Sequence, residues 1–443
     1  MNIHLNESTY PINFRQDNAS ELAKHLLHRH SVELVGMKRV GINNFLRFFI
    51  FNKGIKSHYL PQEGKSFFIF VDLIDLIERE IFPFWRLSFK RIVDSVSESS
   101  IDQGIKDHIS TLFEDCIQSG DLFLTFDGIR ETLVILTQAN IFPTIFFNRF
   151  DRIKDAVTPE FFDNLQGLQN ITNHKLSYVF TSYRELDTLT PKVFHKKIVS
   201  VFLQVMYLKP SDESDSRILF NTALQRYNFV LQEKLKNEIL RLCGGHVQYL
   251  QISAVILHEL GESVKNTTPS QLFSLIAGDE RTILQSEELW ESLGSLEQEA
   301  LQKINSGISI NKEEKEKAKY LWDTGFVRDG SAGSPQVSGK TELFSDLFGQ
   351  FVKDIQAAKK DENKSYDLSK KEHILFVLLQ QYPNEICERE VIVEKVWPEY
   401  KEYGVSDWSI DRLVARLRGK LRKQKSMYEI STVRTRGYRL TTR

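Results

Sequence analysis

Apolar positions in this chain recur with two periods, and the change from one to the other divides it. Through the first 205 residues, short apolar runs alternate with stretches of helical period. Residues 19–30 (ASELAKHLLHRH) read as a helix, and SVELVG at 31–36 as a short strand ending in glycine. NNFLRFFIF at 43–51 restarts the helical pattern. Further strands are expected at 66–72 (SFFIFVD), 144–148 and 176–182 (LSYVFTS), with helices between them. This alternation predicts a mostly parallel sheet.

From 211 to 279 the pattern is helical only, with Gly244 and Gly245 breaking LKNEILRLCGGHVQYLQ between two helices. Residues 281–356 read as helices and a short hairpin whose loop, GFVRDGSAGSPQVSGKTELF, is rich in Gly and Ser. AAKKDENKS at 357–365 has no run of apolar anchors and is expected to be a linker. Beyond it, SKKEHILFVLLQQY begins with Ser369 and Glu372 at the spacing of a capping box. A second short helix is expected at 388–397. A third, capped by Ser406 or Asp407, runs to about 425, and EISTVRTRGYRLTT suits a strand pair. Three helices and a terminal hairpin predict a winged helix-turn-helix.

Composition changes this picture little. The chain has 443 residues, 41% hydrophobic and 26% charged, and 31 of them are Phe. The hydrophobic and charged shares are ordinary for a soluble multidomain protein, whereas Phe is unusually common. Cys116, Cys243 and Cys387 lie far apart with no metal-ligand spacing, and no metal site is expected. The histidines at 25, 28 and 30 have no acid or Cys at ligand spacing and read as solvated helix ends. The start carries no signal-peptide pattern, and no apolar run is long enough to span a bilayer. A cytoplasmic protein without membrane contact is expected.

Charge changes it more. Eleven Lys or Arg and one acid, Glu429, fall between Arg412 and Arg443, a net of +10 in a chain of net −1. A locally basic end points to a polyanion. In the third helix of this end, Ile410, Leu413, Val414, Leu417 and Leu421 make one apolar face. Arg412, Arg416, Gly419, Lys420 and Lys423 fall on another, suited to a major groove. Arg434 and Arg436 lie in the hairpin, within reach of phosphates or a minor groove.

LSKKEHILFVLL, EREVIVEKVWPE, SIDRLVARLRGKL and STVRTRGYRL together resemble the effector domain of OmpR/PhoB-type response regulators. The resemblance covers about 75 residues. It implies double-stranded DNA as partner, with Arg412, Arg416, Arg418 and Lys420 on the reading helix and Thr432, Arg434 and Arg436 on the wing.

The glycine loop at the other end is defective. Gly36 and Gly41 have P-loop spacing, but Ile42 and Asn43 stand where a working loop has Lys and a hydroxyl residue, followed by Asn44. The strand PTIFF ends in Asn148-Arg149 where an acid pair should hold magnesium and orient water. ATP hydrolysis is not expected, and no catalytic residue is assigned. ATP or ADP binding without turnover stays open. VELVGMKRVGINNFLRFF, TIFFNRFDRI, LSYVFTSYREL and LCGGHVQYLQ nevertheless follow one another in an order that resembles AAA+/STAND ATPases of the archaeal, origin-recognition type.

The resemblances imply a multidomain chain. Residues 1–205 form a degenerate α/β P-loop-like (AAA+/STAND) domain and 206–280 a helical lid. Residues 281–356 form a first winged-helix-like domain, 357–365 the linker and 366–443 the OmpR/PhoB-type domain. The expected function is a non-enzymatic, DNA-binding transcriptional regulator whose first module is a scaffold or sensor. RNA polymerase and self-association remain open as further partners. A nucleotide-dependent switch, a replication-initiator-like ATPase and a protein-binding adaptor are the alternatives.

Overall fold

The computed structural model describes residues 5–61, 65–193, 203–227, 229–261, 264, 267–329, 341–361, 368–397, 407–423, 426–433 and 436–442. The chain divides into two compact units, 1–353 and 354–443.

In the first unit, β1 (Ser31–Val35), β2 (Lys65–Asp72), β3 (Ile141–Asn148), β4 (Ser177–Ser182) and β5 (Leu203–Tyr207) form one sheet in the order β2-β3-β4-β1-β5. Every pairing is parallel. Parallel neighbours need crossovers over the sheet faces, so both faces are covered and the strands read as continuous apolar runs. Side-chain alternation divides the sheet between two cores. Val32, Phe68, Phe146 and Val179 point into one, with α1 (Gln16–Leu27), α2 (Ile42–Phe51) and α3 (Gly54–Tyr59). Ile69, Ile145, Tyr178 and Phe180 point into the other. There they meet α4 (Ile81–Ser97), α5 (Gln103–Ser119), α6 (Leu122–Gln138), α7 (Pro159–Ile171) and the short α8 (Leu186–Leu189). Much of the phenylalanine is spent here. Phe84 of α4 lies 5.0 Å from Phe147 and 5.1 Å from Phe161, ring centre to ring centre.

The four expected strands are present, and the fifth, β5, escaped the sequence. It is an edge strand, paired among the described residues only with β1, and Gln204 interrupts its short apolar run LQVMY. The helix expected at 19–30 lies at 16–27, starting after Arg15 in a left-handed conformation (φ 52°).

The rest of the first unit is mostly helical and joins the first core. It comprises α9 (Glu213–Gln225), α10 (Glu233–Cys243), α11 (Val247–Leu260) and α12 (Pro269–Gly278), then α13 (Glu280–Glu291), α14 (Ser295–Asn305), α15 (Lys312–Lys317) and α16 (Tyr320–Asp323). The antiparallel pair β6 (Val327–Asp329) and β7 (Thr341–Leu343) follows, and then α17 (Asp346–Asp361), which begins in the first unit and runs past its last residue, 353. Gly244 and Gly245 break α10 from α11 as expected, both at positive φ. The tip of the Gly/Ser-rich hairpin, 330–340, lies outside the described residues. The expected linker needs correcting, because α17 continues through 357–361, where Ala and Lys favour helix. Its remainder, 362–365, lies outside the described residues.

The second unit contains α18 (Lys370–Gln381), β8 (Ile386–Glu388), α19 (Arg389–Val396), α20 (Asp407–Lys423), β9 (Tyr428–Val433) and β10 (Gly437–Thr442). Ser369 and Glu372 make the expected capping box. Ser406 and residues 424–425 lie outside the described residues. The expected strand pair is joined by β8, giving an antiparallel sheet β8-β10-β9. Three residues are too few to show alternation, so β8 left no signal. Its presence explains Gly437, where a Cβ would fall 2.0 Å from the Cys387 carbonyl oxygen.

Candidate nucleic-acid interface and the closed loop

Helix α20 is held by its apolar stripe. Ile410, Leu413, Val414, Leu417 and Leu421 are all buried, packed with Leu375, Leu379 and Tyr438. The stripe turns Asp411, Ala415, Gly419 and Arg422 fully outward. Arg412 and Arg418 flank that row, half-buried. Ala415 and Gly419 are small, so the middle of the row lets another molecule approach the helix backbone. Arg422 was not among the expected site residues. Its signal is the spacing 415, 419, 422, one face of a helix.

Two expected readers do not face outward. Arg416 is only 14% exposed, and its Nε lies 3.9 Å from Glu372 Oε1. Lys420 Nζ donates to Glu372 Oε2 at 2.7 Å. Both lean towards α18 because their positions border the buried stripe; the even spacing 412, 416, 420 concealed this. Arg418 Nη2 donates to Thr432 Oγ1 at 3.0 Å, tying the helix to the exposed side of β9. Arg436 is exposed, 3.7 Å from Glu388. Arg434 lies outside the described residues. Asp411, the one acid of the outward row, accepts from Arg389 Nη2 at 2.6 Å and from the Tyr438 hydroxyl. The Tyr438 hydrogen bond, with Arg389, holds its pKa below the usual carboxylate range.

The glycine loop is closely packed against other parts of the first unit. Gly36 N donates to the Ser182 carbonyl, and a Cβ there would lie 2.8 Å from the Leu208 carbonyl oxygen. Gly41 has φ 112°, and a Cβ would fall 2.5 Å from Val247 Cγ2 at the start of α11. His246 Nε2 donates to the Lys38 carbonyl at 3.0 Å, and Arg39 Nε to Glu288 at 2.8 Å. His246 and Val247, from the segment expected to be a lid, and Glu288 of α13 therefore hold the loop at three points.

Beneath it, the positions that would serve a metal–phosphate centre hydrogen-bond to one another. Asn148 Nδ2 donates to Asn43 Oδ1 at 3.2 Å, and Thr181 Oγ1 donates to Asn148 Oδ1 at 3.0 Å. Arg149 Nη1 lies 2.7 and 2.9 Å from the two oxygens of Asp72, occupying the acid that ends β2. Ile42 packs against the first core, and Asn44 Nδ2 donates to Glu7 at 3.2 Å. Lys38 Nζ sits 4.9 Å from the centre of the Tyr183 ring. The cavity beside Asn44, lined by Tyr10, Thr222 and Val247, has about 10 Å³, space for about one water. Among the described residues no three His, Cys, Asp or Glu side chains converge as a metal site, and no described helix is long and apolar enough to cross a membrane.

Two buried groups near this sheet give it a pH signature. Burial lowers His246 to about 4, and burial raises Glu33 of β1 to about 8. The His246 contribution to stability is present above its unfolded value of about 6.5 and is lost as pH falls through 4. The Glu33 contribution is present below about 4.5 and is lost as pH rises through 8. Between about 4.5 and 6.5 the two slopes oppose each other; above 6.5 only the Glu33 loss remains. Melting of the first unit is therefore expected to weaken from pH 6.5 to 8.5, by about 2 kcal/mol from this group. Glu33→Gln should flatten that limb; an unchanged limb would assign it to other groups.

Residues 363–440 match the family model described as "Transcriptional regulatory protein, C terminal". The chain is 40% identical over 78 residues to the heme response regulator HssR of Staphylococcus epidermidis, and 36% over 81 residues to that of Staphylococcus haemolyticus. Each alignment covers 18% of this chain, and 34% and 35% of the relatives, so the chain spans about a third of the length of the curated relatives it matches. Among solved structures, the Walker-type ATPase paby2304 of Pyrococcus abyssi is similar at 13% identity and a TM-score of 0.45, covering 79% of this chain and all of that one. The ORC2 protein of Aeropyrum pernix gives 13% and 0.45, covering 80% and 97%. The fold of the first unit rests on its own strand order. The second unit has both the sequence and the three-helix, hairpin-ended fold of an OmpR/PhoB-type winged-helix domain.

Proposed function

We propose that this chain is a DNA-binding transcriptional regulator in which the second unit reads DNA and the first is a scaffold without nucleotide turnover. The observation that carries the reading is helix α20. Its apolar stripe is buried, its outward row is small in the middle and flanked by Arg412, Arg418 and Arg422, and Arg418 joins it to Thr432 of the hairpin. Such a helix enters a major groove while the hairpin lies along the backbone. Asp411, which would repel phosphate, is already bonded to Arg389 and Tyr438. In the winged-helix-like part of the first unit, several of the described lysines are neutralised. Its Lys303, Lys315, Lys317 and Lys319 each face an acid, at 2.5, 3.1, 2.6 and 3.8 Å.

The test is selection of duplexes by the full chain from a random pool, followed by titration of the selected and a scrambled duplex over a range of salt. The reading expects an enriched site bound at least a thousandfold more tightly than the scrambled one, as is usual for specific readers. It also expects affinity to fall steeply with salt. No enrichment and no salt dependence would move the adaptor alternative ahead.

The scaffold half of the reading draws on the closed loop. Val247 lies so close to Gly41 that a Cβ there would fall 2.5 Å from its Cγ2, and His246 and Glu288 hold Lys38 and Arg39 of the same loop. Asn43 and Asn148 hydrogen-bond to each other, and Asp72, the acid that ends β2, is already engaged by Arg149. Millimolar Mg-ATP or Mg-ADP should leave the melting temperature of the full chain unchanged. Binding at a hundredth of that concentration would stabilise by about 2.7 kcal/mol and raise it by several degrees.

A further inference from the structure

Glu372 lies in the first turn of α18 with its side chain only 2% exposed. Its Oε2 accepts from Ser369 N at 2.7 Å, which completes the cap. The same oxygen accepts from Lys420 Nζ at 2.7 Å, and Oε1 lies 3.9 Å from Arg416 Nε. Arg416 and Lys420 are one helical turn apart, so a single carboxylate reaches both. The cap alone requires no buried charge facing α20, because a Gln at the same position would complete it.

We propose that Glu372 is a positioning residue for sequence choice: it withholds Arg416 and Lys420 from the duplex and leaves reading to Arg412, Arg418 and Arg422. The proposal rests on the DNA-binding reading above. Its logic is one of differences. Each cation turned towards phosphate strengthens binding to every sequence alike. Specificity is the ratio of preferred to other sites, so a strongly basic helix gains affinity and loses discrimination. A buried acid that engages two of the cations reduces the indiscriminate part. It also fixes the rotation of α20 against α18, which decides which residues form the outward row.

The experiment compares the wild-type full chain with Glu372→Gln on the selected and scrambled duplexes over a range of salt. The amide can still accept from Ser369 N but no longer neutralises Lys420 and Arg416. Glu372→Gln should bind the scrambled duplex about tenfold more tightly at low salt. Its salt slope should steepen by about one to two units, one for each cation released. The preferred-to-scrambled ratio should fall about tenfold. A merely structural role for Glu372 would lower the melting temperature and move neither slope nor ratio; a folded Glu372→Gln chain with both unchanged overturns the proposal. Should that variant leave the second unit unfolded, Glu372→Gln with Lys420→Gln replaces the ion pair by an amide pair. Its salt slope should be no smaller than that of the wild type, because Lys420 touches no phosphate. A slope smaller by about one unit overturns the proposal. A wild-type chain that binds no duplex at any salt would instead remove the DNA-binding reading itself.

Discussion

Gly245→Ala is expected to cost the first unit at least about 4 kcal/mol, an effect at the upper end for single substitutions. Gly245 has φ 81°, and a Cβ there would fall 2.0 Å from the carbonyl oxygen of Ser211 and 2.8 Å from its nitrogen. Gly244 is as crowded, with a Cβ only 1.8 Å from the Phe344 carbonyl oxygen. These atoms are backbone, so no side-chain rotation relieves the overlap. They are also tied together. Ser211 N donates to the Gly245 carbonyl at 3.0 Å, Arg328 Nη2 to the Gly244 carbonyl at 2.7 Å, and Ser345 Oγ to the Leu242 carbonyl at 2.7 Å. Three chain segments meet here, joining the lid to the helices and hairpin that follow. At about 2–4 °C per kcal/mol for a unit of this size, melting should fall by roughly 10 °C. Gly167→Ala is the control. Gly167 lies inside α7 with nothing within 4 Å of a Cβ, so alanine should stabilise slightly. Equal melting temperatures for Gly245→Ala and Gly167→Ala would mean the junction is looser than its contacts imply.

The second large effect is expected from Leu417→Ala. Leu417 is fully buried at the centre of the second core, between Leu413 and Leu421 of its own helix and facing Leu375 and Leu379. Truncation leaves a cavity and costs about 2–5 kcal/mol. A domain of about 80 residues holds little more than that in total. The second unit should therefore lose its cooperative melting, and specific DNA binding with it, while the first unit melts as in the wild type. Calorimetry of the full chain resolves the two. If both units lose stability together, they share a core and are not independent.

The main strands were legible because both faces of a parallel sheet are buried, which makes SVELV and SFFIFVD nearly pure apolar runs. β5 and β8 were not: Gln204 interrupts the short run LQVMY, and β8 is only three residues long. The third helix was legible through Ile410, Leu413, Val414, Leu417 and Leu421, which fix its inner face. Its outer face was harder. Periodicity places Arg412, Arg416 and Lys420 in one row, but only the packing against α18 reveals that Glu372 engages two of them. The Lys missing at 42, the hydroxyl missing at 43 and the acid missing at 148 are local features, and from them comes the expectation that the glycine loop does not hydrolyse ATP. That Val247, His246 and Glu288 pack against or hold it depends on contacts some 200 residues apart in sequence, which no local pattern records.

The central claim is that α20 reads DNA without help from nucleotide. It is tested most directly by titrating the selected duplex, at fixed salt, with the wild-type chain and with the Arg418→Ala plus Arg422→Ala chain, each with and without Mg-ATP. The account predicts wild-type curves that superimpose whether or not nucleotide is present, and an affinity lower by at least tenfold in the folded double variant. A wild-type curve that shifts with Mg-ATP, or a double variant that binds as tightly as the wild type, would contradict it.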